Sequence, residues 1–174
     1  MGGFEQDLVK LVGKHHANGI LIDTNVLLLY LFGKYQPALV GRKRLEKYGH
    51  DDAQLIIQFL ARFQKILTTQ HVLAETSNLA RQIVMDTLRT ELSLQLYPLF
   101  CLDTPASFIT CEVDGVKIDM KVFAELGLTD AGLASLVRGN ILLLTDDLDL
   151  YITAASTGGD VVNFTHMREA AGTV

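Results

Sequence analysis

Six acidic residues stand where a carboxylate is costly or where its spacing suits chemistry. Asp23 interrupts the apolar run "GILIDTNVLLLY", and an unpaired carboxylate in such surroundings is expensive to keep charged. Asp146, Asp147 and Asp149 follow the apolar run "NILLLT" directly. Glu75 and Asp130 lie in stretches of helical periodicity. At the helical angular step, Glu75 falls about 40° from Leu79, near the apolar stripe of Val72, Leu79 and Ile83. Asp130 falls similarly close to Ala134 and Val137. Both acids lean toward the buried side of their helices. The competing reading is that each is a first-turn acid favoured by the helix dipole.

Together these residues suggest a cation site. Two like charges about 4 Å apart repel by roughly 4 kcal/mol at an effective dielectric near 20. Asp23, Glu75, Asp130 and Asp147, gathered at one place, would raise each other's pKa values unless a cation joined them. Oxygen donors of this kind select Mg²⁺ or Mn²⁺ over Zn²⁺. His71 and Glu75 share a helix face, but the spacing supplies no further ligands for zinc. His71 is therefore read as structural or solvent-exposed. If the chain stays extended past Thr145, then Thr145, Asp147 and Asp149 share one side and Asp146 faces the other. That favours Asp147 over Asp146 as a ligand.

The elements that must position these acids alternate along the chain. A short helix is expected over 4–16, followed by the buried strand "GILI" and a helix beginning at "NVLLLYLFG". Leu55, Ile56, Phe59, Leu60 and Phe63 recur at helical spacing. "KILTT" reads as a short strand. "HVLAETSNLARQIVMDTL" reads as a helix that continues toward Leu96 and is stopped by Pro98. "FITCEVDGVKIDM" has an Asp114–Gly115 turn between two β-like runs and reads as a hairpin near 108–121. "TDAGLASLVRG" reads as a helix with Thr129 at its N-cap and Gly139 near its end. "NILLLT" and "DVVNF" complete the strands. Such alternation implies a parallel sheet covered on both faces. Asp23 and the Asp146–Asp149 cluster then lie at the carboxyl ends of strands, where ligands bind in open α/β sheets.

Composition sets the outer limits. The 174 residues are 49% hydrophobic, enough for a single domain with a true core. The apolar runs are too short to span a bilayer. The opening "MGGFEQDLVKLVGKHH" lacks an apolar core of signal-peptide type, and Gln6 spoils a myristoylation motif. Cys101 and Cys111 form no CxxC pair, which fits reduced thiols in a cytoplasmic protein. The net charge of −5 disfavours non-specific binding to nucleic acid. An exception is the basic stretch within 34–50, where Arg42, Lys43, Arg44 and Lys47 cluster. It reads either as a solvated face or as a phosphate-contacting patch, and the second reading requires the acids elsewhere to be occupied by metal.

Four segments resemble the PIN-domain family of metal-dependent nucleases. "LIDTNVLL" is similar to that family's opening strand, and "TTQHVLAETSNLA" to the segment with its second acid. "LGLTDAGLASLV" resembles its third-acid helix, and "ILLLTDDLDLY" its final strand and Thr-x-Asp turn. They occur in the family's order and span about Ile20 to Tyr151. The resemblance implies a three-layer α/β/α fold with a central parallel sheet of about five strands. It implies Asp23, Glu75, Asp130 and Asp147 as catalytic, metal-binding acids, with Asp149 as a further ligand and Thr24, Asn25, Thr145 and Asp146 as supports. It implies Mg²⁺ or Mn²⁺ as cofactor and RNA as substrate, hydrolysed by in-line attack of an activated water on a phosphodiester. Many members are homodimers, and some are toxins held by an antitoxin protein. The basic insertion near 34–50 and the hairpin near 108–121 depart from the compact toxin form. The alternative is a catalytically silent scaffold that binds RNA or a protein partner. A haloacid-dehalogenase phosphatase would want Asp-x-Asp after the first strand, where this chain has Asp-Thr-Asn. A receiver domain would want its acidic pair early, whereas Asp146–Asp147 comes late.

Overall fold

The computed structural model describes residues 3–84, 86–102, 108–137 and 141–173. The fold is α/β, with a five-stranded, all-parallel sheet between helices. The chain opens with α1 (Gly3–His15), β1 (Ile20–Ile22), α2 (Thr24–Tyr35), α3 (His50–Leu60) and β2 (Ile66–Thr68). It continues with α4 (Gln70–Ile83), α5 (Asp86–Cys101), β3 (Ile109–Thr110) and α6 (Met120–Val137). It closes with β4 (Leu142–Thr145), α7 (Leu148–Ser156), β5 (Val161–Asn163) and α8 (Phe164–Ala171). The strand order is β3-β2-β1-β4-β5. Successive strands step outward from β1 to β3, and the chain then returns to lay β4 and β5 on the other side. The order reverses between β1 and β4, and a crevice opens at the carboxyl ends of strands at such a point. Ile22 is in register with Leu144, so Asp23 and Thr145 emerge side by side there.

The core explains why the strands are so short and so apolar. Every residue of β1 and β4 is buried, as a sheet covered on both faces demands. The helix α2 is apolar on nearly every side, and Val26, Leu27, Leu28, Leu29, Leu31 and Phe32 are all buried. It is thus an internal helix packed against the sheet, α3 and α4. Gly33 permits its close approach to α3, because a Cβ there would stand 2.8 Å from that of Ala53. Cys101 and Cys111 are free thiols. No helix among the described residues is long and apolar enough to cross a membrane.

Three local expectations give way to the structure. The helix from His71 does not run to Leu96: α4 ends at Ile83, its C-cap Val84 is extended, and α5 is a separate helix. Pro98 lies inside the last turns of α5 rather than stopping it. The hairpin near 108–121 does not form. Ile109 and Thr110 pair in parallel with Leu67 and Thr68 of β2, and the other half stays out of the sheet. Asp114 accepts a hydrogen bond from the Val116 amide (3.1 Å) and starts a 3₁₀ turn at Gly115–Lys117, which runs on toward α6. The asparagine-like turn chemistry of Asp114 thus served a helical turn instead of a reversal. The helix expected at "TDAGLASLV" is longer than its periodicity suggested. It begins at Met120 and breaks its helical path at Gly127 (φ 80°, ψ 178°), a conformation suited to glycine. Thr129 stands two residues past that break, and Gly139 lies outside the described residues. The basic stretch within 34–50 is a loop with two short 3₁₀ turns, Pro37–Leu39 and Lys43–Leu45.

Candidate active site

The carboxyl edge of the sheet is built by a repeated local device. After β1, β2, β4 and β5 the chain turns straight into a helix, and a short polar side chain caps each one. Asp23 accepts from the Val26 amide (2.7 Å), and Asp147 from that of Leu150 (2.9 Å). Thr69 and Asn163 do the same for Val72 and His166. Four helix N-termini therefore gather at one edge, where their free N–H groups favour negative charge. Asp, Thr and Asn are the residues that fill this role best.

Asp23 is the most enclosed of the candidate acids, at 2% exposure. Beyond its helix cap, its second oxygen accepts from the Asp146 amide (3.0 Å) and the Thr145 hydroxyl. Burial nevertheless raises its carboxyl to about 6, against the opposing effect of these donors. Asp130, half-buried, sits past the Gly127 break, where α6 packs against α4, β4 and α7. Burial and the negative charges of Asp23, Asp147 and Glu75 push its carboxyl to about 7. The four acids come from four elements, and Asp130 lies close enough to feel the charge of the other three. Glu75 is exposed on α4, and its Oε2 accepts from the Thr24 hydroxyl (3.1 Å). Thr145 is fully buried, and its hydroxyl oxygen accepts from the Asp147 amide (3.0 Å) while donating to Asp23. One threonine thus ties two of the acids together.

The other candidates are arranged differently. Asp146 turns away from the cluster, and its carboxylate accepts from Tyr48 Oη, Thr165 Oγ1 and Lys47 Nζ, each at 2.6 Å. Burial would raise it, but these bonds outweigh burial and hold its carboxyl below the usual range. Its contribution to the site is its backbone N–H to Asp23. Asp149 and Asn25 are exposed on the first turns of α7 and α2. Lys43 caps the end of α4 by donating to the Gln82 and Ile83 carbonyls (2.9 and 2.8 Å), and Arg44 donates to the Gln82 side chain at 3.3 Å. Lys47 serves Asp146, which leaves Arg42 exposed on the surface of the loop. His71 keeps its Nδ1 buried with no hydrogen-bond partner among the described residues. Sequence reasoning passed over Tyr48, Thr165 and Asn163. For Asn163 a signal existed: "VVNF" repeats the strand-then-cap pattern of "LIDT".

The donor set suits a hard divalent ion: all oxygen, drawn from four carboxylates, two of them held above the ordinary range. Each carboxylate offers about four lone-pair positions, and even Asp23 uses only three. Among the described residues, no three His, Cys, Asp or Glu side chains already stand at coordinating distance. The acids are thus neighbours rather than a closed cage. In comparisons with known proteins, no family model, curated protein or solved structure matches the chain.

Proposed function

We propose that this chain is a PIN-type endoribonuclease that depends on Mg²⁺ or Mn²⁺. The observation that supports the reading is the gathering of acids at the carboxyl edge: Thr145 ties Asp23 to Asp147, Thr24 bonds Glu75, and burial together with the charges of these three raises Asp130 to about 7. A carboxyl raised by burial and by neighbouring acids is a group to which a divalent cation restores its charged form. Asp23, Glu75, Asp130 and Asp147 would hold the ion, and Asp149 stands on the rim. When bound, the ion supplies Lewis acidity, lowering the pKa of water and taking up phosphate charge. The chain's own part is orientation. Val26 and Asp146 amides and the Thr145 hydroxyl fix both oxygens of Asp23, while the Leu150 amide fixes Asp147. The helix N-termini at this edge favour a phosphate approaching it. With a net charge of −5 and four acids at this edge, the chain needs the cation to hold the scissile phosphate there as well as to cleave it. The cytoplasm is the compartment this reading assigns. A toxin held by an antitoxin, and a homodimer, are the partnerships the family likeness suggests.

The test is incubation with defined single-stranded RNA and DNA in Mg²⁺, Mn²⁺ or chelator. RNA cleavage should require metal and fall by about 10²–10³-fold in Asp23→Asn or Asp147→Asn, the scale of losing one electrostatic group at a reacting centre. Undiminished cleavage by Asp23→Asn would overturn the assignment. One observation favours a second reading, a silent PIN-like scaffold that binds RNA or a protein: the acids do not yet stand at coordinating distance. Calorimetry separates the two, because the scaffold takes up no Mn²⁺.

A further inference from the structure

A cavity lies beside the exposed edge of the sheet, with a volume of about 950 Å³. That is the size of a site for a sizeable ligand. Its lining includes the aromatic residues Tyr30, Tyr35, Phe63, Phe100 and Phe108 together with Lys34 and Lys65. Among the described residues that line it there is no carboxylate. This is notable in a chain with 20 acids and 15 lysines and arginines. Lys34 Nζ stands 5.5 Å from the ring centres of both Tyr30 and Tyr35, within the range of cation–π attraction. A groove whose described lining is cationic and aromatic complements a polymer that carries flat rings and phosphates.

Its direction follows from the fold. Lys65 precedes β2, and α2 runs back from the carboxyl edge, so Lys34 and Lys65 lie toward the amino edge of the sheet. Gln70 and Thr110 line the other end, beyond β2 and at the end of β3, on the carboxyl edge. Gln70 opens α4, the helix that carries Glu75. The groove therefore leads from two lysines toward the acidic edge.

We propose that this groove binds a single-stranded RNA segment, its bases against the tyrosine and phenylalanine rings and its phosphates on Lys34 and Lys65. The identity of the ligand rests on the nuclease reading. Stacking on aromatic side chains is sequence-tolerant, so the groove would accept strands of varied sequence. It would hold the strand outside the reacting centre and set how much flanking RNA is needed.

The experiment is fluorescence anisotropy with a labelled 12-nucleotide oligouridine in chelator, where no cleavage occurs. Lys34→Gln/Lys65→Gln, at two exposed positions, should bind about tenfold more weakly than wild type. Its salt slope should be shallower by about 1.4, because each phosphate that a lysine neutralises on a single strand adds about 0.7 to the slope. Lys10→Gln, exposed on α1, makes the control and should bind as wild type does. A 4-thiouridine oligomer should photocrosslink to Tyr30, Tyr35 or Phe108. Equal affinity and slope in the double variant, crosslinks elsewhere, or no RNA binding by wild type would each overturn the groove. Uridine monophosphate binding as tightly as the oligomer would also overturn it, since a single-nucleotide pocket would then suffice. The two readings fail separately. Metal-dependent cleavage with an unchanged KM in the double variant ends the groove alone, whereas groove-dependent binding without cleavage in any metal ends the nuclease alone.

Discussion

The molecule encloses two kinds of aspartate. Asp52 and Asp146 are supplied by the protein itself. Asp52 accepts from Arg168 Nε (2.8 Å), the Gly49 amide (2.7 Å) and Thr173 Oγ1 (2.7 Å). Asp146 has an ammonium and two hydroxyls. For both, burial would raise the carboxyl, but these partners outweigh it and lower it. Asp23 and Asp130 are raised instead, to about 6 and about 7. Asp23 has hydrogen-bond donors but no cationic partner in those contacts, and Asp130 faces three other acids. A fold that brings Arg168 and Lys47 to two of its acids places, among the described residues, no such ion pair on either of the others. The difference separates acids that hold the structure together from acids held ready for something outside the chain. The two sets even touch, because Asp146 is locked by its carboxylate and supports Asp23 with its backbone N–H.

Three variants test that division. Arg168→Met leaves Asp52 buried at 1% exposure without its cation, and should cost about 3–5 kcal/mol in a denaturant melt. A loss under about 1 kcal/mol, the scale of an exposed pair, would place Asp52 with the unsupplied acids. Tyr48→Phe removes one donor to a buried charge and should cost about 1.5–3 kcal/mol of stability. Because Lys47 and Thr165 still hold Asp146, cleavage should fall less than in Asp23→Asn. Asp130→Asn should do the opposite and stabilise the metal-free protein at pH 7.5, on the order of 1 kcal/mol after allowance for its partial exposure. The sign follows from the raised carboxyls. The folded state holds protons on Asp23 and Asp130 that the unfolded state releases near pH 4, so stability falls as pH rises from about 4 to about 7. At pH 3.5 both the folded and the unfolded chain largely hold the proton on Asp130, and the variant should nearly match wild type. Adding Mn²⁺ at pH 7.5 should reverse the order by stabilising wild type alone. Thermal melts at the two pH values, with chelator or Mn²⁺, give all of these comparisons.

Much of the acidic edge could be read along the chain. Asp23 and Asp147 each follow a buried strand and cap the next helix, and both facts depend only on near neighbours. Spacing put Glu75 and Asp130 toward the apolar stripes of their helices; Asp130 is half-buried, but Glu75 is exposed on α4, because spacing gives a side chain's angle on its helix and not what covers that angle. Asp146 could be turned from Asp147 by strand alternation, and the structure sends its carboxylate to other partners. The readings that failed depended on competition between local options. Asp114–Gly115 suits a hairpin or a 3₁₀ turn, and no facing strand was there to favour the first. Val84 breaks a helix that its own periodicity would have continued, and Pro98 was accommodated near a helix end.

Local chemistry therefore established most of the strands and the acids at the strand ends, because these arise from interactions a few residues long, whereas the one cap expected, Thr129, lies inside α6. The partners of each acid came from elsewhere: Tyr48 lies 98 residues from Asp146, Arg168 lies 116 from Asp52, and Thr145 lies 122 from Asp23. Such pairings are set by strand order and helix packing, which no local pattern encodes. Whether an acid is neutralised from within or kept for a cation from outside is settled by which side chains the folded chain brings to it.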